Sequence, residues 1–217
     1  MRSWSRCSAR RSSSSSVTSI LRGTGSLICL FSLCRREEVG QLAVCDIQEE
    51  EGIHFLRIND DEKLGQSLKN AGSRRRVPIH SALISLGLLQ YVERVKKAGH
   101  VRLFPELKRG ANGYSDPVGK FFGRLLRSVG IDDPAVVLHS TRHTGISRLT
   151  GAGVPQDTRE ILAGHAAAGV HGKTYVHRDQ LPLSLLREAA ERLARSPVAS
   201  LNFFCFNHAK MELSTIL

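Results

Sequence analysis

Leu138-His139-Ser140-Thr141-Arg142-His143-Thr144-Gly145-Ile146-Ser147-Arg148-Leu149 is where the reading of this chain begins. A helix is expected from about Ser140 to Leu149, ending at Gly151-Ala152-Gly153, whose glycines suit a helix C-terminus. If the helix already opens at Leu138, His139 and Arg142 lie three residues apart and share a face. The N-terminus of a helix attracts anions through its free N–H groups and its dipole. An imidazole and a guanidinium at that end suit a phosphate. Taken alone, His-x-x-Arg is more often a chance surface pair.

Downstream, Gly164-His165 is followed ten residues later by Tyr175, in Lys173-Thr174-Tyr175-Val176-His177. Upstream, Arg35 stands in Cys34-Arg35-Arg36-Glu37-Glu38-Val39, and Lys69 in Ser67-Leu68-Lys69-Asn70-Ala71-Gly72. Each has an ordinary explanation. His165 suits a helix cap, Tyr175 a half-buried core position, Arg35 and Arg36 solvated helix charges paired with Glu38 or Glu37, and Lys69 an exposed hairpin. It is their order that is distinctive.

The pattern around them is mainly helical. Leu27, Ile28, Leu30, Phe31, Val39 and Leu42 predict one helix over residues 26–44. Strands are expected at Ile53–Ile58 and Arg74–Ile79, joined through Asn70-Ala71-Gly72 as a hairpin. Further helices are expected at Ser81–Ala98, at Pro117–Val129, from Pro155 to near Gly164, and at Leu181–Leu193. Helices with one small antiparallel sheet define an α+β domain. Residues 1–25, rich in Arg and Ser with no acidic residue, are expected to be disordered, a transit peptide being the minor alternative. The tail after Ser196 is unassigned.

The order Arg, Lys, His-x-x-Arg, Gly-His, Tyr resembles the tyrosine recombinase (phage integrase) family. RREEVGQL (35–42) is similar to its first arginine box, SLKNAGSRRRVPIH (67–80) to its lysine hairpin, LHSTRHTGISRL (138–149) to its second box, and GHAAAGVHGKTYVH (164–177) to its closing segment. The resemblance covers about residues 26–195. It implies the DNA breaking-rejoining fold and six active-site residues: Arg35, Lys69, His139, Arg142, His165 and Tyr175. It also implies that Glu38 supports the first arginine. In that reading Tyr175 attacks a DNA phosphodiester and forms a 3′-phosphotyrosyl bond. His139 acts as base and Lys69 as acid. Arg35, Arg142 and His165 hold the non-bridging oxygens, each such donor commonly being worth about 3–4 kcal/mol. No metal or other cofactor is expected. The implied partner is double-stranded DNA, with self-association on it as a tetramer, in the bacterial cytoplasm; no membrane and no small-molecule substrate are expected.

Composition agrees with that partner. The chain has 217 residues, 41% hydrophobic and 24% charged, enough for a buried core. Its net charge of +11 favours a polyanion. The longest apolar run, Leu27–Leu33, falls far short of the roughly 18 residues of a membrane span. Cys7, Cys29, Cys34, Cys45 and Cys205 form no Cys-x-x-Cys pair and no disulfide framework.

Two features depart from the family. Leu33 and Cys34 stand where a small residue, often glycine, usually precedes the first arginine. About 34 residues precede Arg35, so a helical DNA-clamping domain is not expected among them, and one expected explanation is a truncated or frameshifted prophage gene with foreign sequence at both ends. A non-catalytic DNA-binding remnant and a type IB topoisomerase are therefore the competing readings. The leucines of Leu181-Pro182-Leu183-Ser184-Leu185-Leu186 and the helix beyond are expected to fold back on the same chain.

Overall fold

A computed structural model describes residues 23–110, 113–128, 130–165 and 181–194. Its helices are α1 (23–32), α2 (Arg36–Gly40), α3 (Ser81–Ser85), α4 (Leu88–Lys97), α5 (Asp116–Ser128), α6 (Leu138–Gly151), α7 (Gln156–Ala163) and α8 (Leu183–Glu191). Its strands are β1 (Ile47–Glu50), β2 (Ile53–Ile58) and β3 (Arg75–Pro78), in one antiparallel sheet of order β1-β2-β3. The mainly helical α+β expectation holds.

The single helix expected over 26–44 is two helices, α1 and α2. Leu33 ends the first by adopting a left-handed backbone, φ 55°, and Arg35 is extended, φ −70° and ψ 147°. The apolar period ran across this break because Leu27, Ile28, Phe31, Val39 and Leu42 are buried on both sides of it. Likewise Ser81–Ala98 divides into α3 and α4 at Gly87, whose φ of 88° no helix accommodates.

The sheet begins with a strand that the sequence pattern did not reveal. β1 is Ile-Gln-Glu-Glu, with half-exposed and exposed positions and no apolar alternation. It joins β2 through Glu51 and Gly52, both at positive φ, the two-residue turn that matches strand twist. The register sets Ile47 opposite Leu56 and Glu50 opposite Ile53. β3 pairs with β2 through Ile58 opposite Arg75 and Leu56 opposite Val77. Arg75 and Val77 therefore share the buried side, since alternate residues of a strand face the same way.

Phe104, Phe122, Ile28, Leu42, Leu56 and Leu149 are among the side chains that fill the centre. α7 and α8 both pack on β3. Leu183, Leu186, Ala189 and Ala190 of α8 are buried within the same chain, as expected. α8 is tied down further by Glu191, which accepts from the Ser81 N–H at 2.8 Å and hydroxyl at 2.6 Å at the start of α3. Among the described residues, no helix is long and apolar enough to cross a membrane.

Candidate active site

Four stretches meet where α1 gives way to α2: the Leu33–Glu38 turn, the Ser73–Arg75 entry to β3, the start of α6, and the α7 C-terminus. Glu38 is the centre of the arrangement. Its carboxylate accepts from the Arg35 backbone N–H at 2.7 Å and from Arg35 Nη1 at 2.7 Å. It also accepts from Arg75 Nη1 at 3.2 Å and Nη2 at 2.7 Å. Burial alone would raise the Glu38 pKa. The charge and hydrogen bonds of Arg75, and the bonds from Arg35, hold it below the ordinary carboxylate value instead.

The same bonds place Arg35. Its Nη1 also donates to Ser73 Oγ at 3.1 Å, and its Nη2 to the Gly164 carbonyl at 3.1 Å. Arg142 is buried, at 3% exposure. It donates through Nη1 to the Leu33 carbonyl and through Nη2 to the Ala163 carbonyl. Desolvation, then repulsion from Arg35 and Arg75, pushes its pKa down to about 10. It stays charged at neutral pH. Gly164 is the hinge between α7 and His165. Its φ is 65°, and a Cβ there would stand 2.6 Å from Arg75 Nη1, so this corner requires glycine on both counts.

The imidazoles gather at the rim. His139 and His165 are exposed, whereas Arg142 lies beneath. The pKa of His139 is lowered by partial burial and then by His143, Arg142 and Arg35. That of His165 is lowered by partial burial and then by Arg142 and Arg35. The pKa of each histidine is thus lowered by both arginines, and Arg35 and Arg142 hold the Gly164 and Ala163 carbonyls immediately before His165. His139 and His143 touch, ring centroids 5.0 Å apart and nearly perpendicular.

Lys69 stands apart. It is exposed on a bend, and among the described residues no hydrogen bond or ion pair holds it. Its loop is nevertheless anchored on both sides. Gln41 and Ser67 exchange two hydrogen bonds of 2.7 and 3.0 Å ahead of it. Behind it, Ser73 Oγ donates to Asn70 at 2.8 Å while accepting from Arg35. Tyr175 lies outside the described residues, as do residues 1–22 and the tail after Ser196.

Sequence reasoning missed Arg75, Ser73 and His143. For Arg75 a signal existed: an arginine on the inward side of a strand, one alternation before Val77, needs a buried carboxylate. Ser73 left none, and His143 stood beside the motif without a role.

Arg35 and Arg75 share the Glu38 carboxylate while Arg142 is held on the Leu33 and Ala163 carbonyls, which leaves positive charge in excess with His139 and His165 at the rim. Such an excess of positive charge can hold an anion, and the planar forks of arginine match phosphate oxygens. The model of the phage integrase family matches residues 12–181, and the chain belongs to that family. It carries the integrase catalytic domain, a tyrosine recombinase unit that breaks and rejoins DNA. No curated protein and no solved structure matches the chain.

Proposed function

We propose that this chain is a site-specific recombinase acting on double-stranded DNA in the bacterial cytoplasm, with Tyr175 as nucleophile and the Arg35–Arg142 pair as phosphate clamp. The convergence of Arg35, Arg142, His139 and His165 from distant parts of the sequence supports this reading. The Tyr175 hydroxyl attacks the scissile phosphorus and passes its proton to His139, whose depressed pKa keeps it neutral at physiological pH. A P–O bond forms to the tyrosine while the P–O5′ bond breaks. Lys69 protonates the departing 5′-oxygen. Arg35, Arg142 and His165 take up the charge that grows on the non-bridging oxygens. Attack by a 5′-hydroxyl on the phosphotyrosine reverses each step and reseals the strand without an energy source. With two duplexes held in the family's tetramer, the cleaved strand of the second duplex supplies the attacking 5′-hydroxyl and the strands are exchanged.

A DNA duplex nicked near its scissile site tests this, because the short 5′-leaving strand diffuses away and leaves the adduct trapped. The wild-type chain should form a covalent protein–DNA band. Tyr175→Phe should abolish the band and leave DNA retention unchanged. A Tyr175→Phe protein that still forms the adduct would overturn the assignment. DNA retention with no adduct from the wild type would favour the non-catalytic remnant.

A further inference from the structure

We infer that Leu33 and Gly145 form a matched pair that sets the spacing of the two arginine boxes, which makes Leu33 a positioning residue for Arg142. The inference rests on the reading above that Arg142 holds the phosphate. Leu33 is one of two non-glycine residues at positive φ among the described residues. The other, Glu51, sits in an exposed hairpin turn, where such backbones are common. Leu33 is instead 1% exposed and lies two residues before Arg35.

Its side chain runs into α6. A Cβ built on Gly145 would overlap Leu33 Cδ2, lie 3.7 Å from Leu33 Cγ and 3.4 Å from Leu193 Cδ2. Gly145 is buried in mid-helix, where glycine is a poor helix former. It lies three residues after Arg142 and so on the same side of α6. The gap it leaves is filled by the Leu33 side chain. The left-handed backbone of Leu33 turns its carbonyl onto Arg142 Nη1. Leu33 therefore fixes Arg142 twice, through its carbonyl and through the depth to which its side chain enters α6. A methyl group on Gly145 has to displace Leu33 Cδ2, and because Leu33 is 1% exposed and closely packed, we expect the displacement to reach its backbone and carbonyl.

Gly145→Ala should slow adduct formation about 100-fold, the order expected when a reacting group is misplaced by roughly 1 Å. Leu33→Ala combined with Gly145→Ala restores the room and should recover most of the rate. A second readout needs no activity. The guanidinium ¹⁵N resonance of Arg142, assigned by its loss in Arg142→Lys, should shift in Gly145→Ala and return towards the wild-type position in the double variant. A Gly145→Ala protein with normal trapping and an unmoved Arg142 resonance would overturn the proposal. If Gly145→Ala alone does not fold, folding of the double variant is the rescue, and failure of both to fold refutes the pairing. If the wild type forms no adduct, the proposed function fails while the resonance still decides the pairing.

Discussion

Glu38→Gln removes one charge from the centre of the site and changes almost no volume. In the native chain that carboxylate pairs with Arg75 at 2.7 Å, side-chain exposures being 1% for Arg75 and 4% for Glu38, and with Arg35 at 2.7 Å. The glutamine cannot neutralise Arg75, and its amide N–H groups face guanidinium donors. Breaking a buried pair from one side costs about 3–5 kcal/mol, because the remaining charge is left dry and uncompensated. For a domain of this size each kcal/mol shifts the melting temperature by about 2–4 °C, so the expected loss is roughly 6–20 °C. Thermal unfolding followed by circular dichroism measures it. Adding Arg75→Met removes the orphaned charge and should recover part of the loss. A pH series carries the same information. The folded carboxyl lies below its ordinary value of 4.5, so its stabilisation is complete above that value and is lost as the pH falls through the lower folded one. The Glu38→Gln variant should lack that acid-side decline. A shift below about 2 °C at pH 7 would mean that the carboxylate contributes no net stabilisation, and the account of the site would fail.

Two further outcomes follow from the same geometry. Gly164→Ala should destabilise the domain by more than about 1 kcal/mol in urea unfolding, because φ is 65° and the new methyl meets Arg75 Nη1 at 2.6 Å; an unchanged midpoint refutes the placement of Arg75. Burial and the neighbouring His143 and arginines hold His139 below its ordinary 6.5, so the pH at which adduct formation is halved should lie below 6.5; a rate already halved at 6.5 or above would remove His139 as the base.

The stretches that meet at Glu38 and Arg142 were legible as motifs in the sequence, because Arg35, His139, Arg142 and His165 all stand in them. The order of Arg35, Lys69, His139, Arg142, His165 and Tyr175 had meaning only through its resemblance to the integrase family, since each residue is ordinary alone. What escaped depends on backbone geometry that side-chain patterns do not encode. The break at Leu33 was hidden because leucine rarely takes a left-handed backbone and its neighbours keep a helical apolar period. β1 was hidden because an edge strand with one half-exposed side needs no alternation. His139 and Arg142 were correctly placed on one helix, but the sequence could not tell that Arg142 would lie buried and His139 at the rim. Arg75 was concealed by its own setting, a run of three arginines in which only the strand register selects the buried one.

The bond from Arg35 to the Gly164 carbonyl spans 129 positions, and contacts so distant along a chain form late in folding because loop closure must come first. A nascent chain that has reached α5 already carries the first box and the hairpin, yet holds neither Arg142 nor the α7 corner. Such a fragment cannot form the bonds by which Arg35 reaches the Gly164 carbonyl and Arg142 the Ala163 carbonyl.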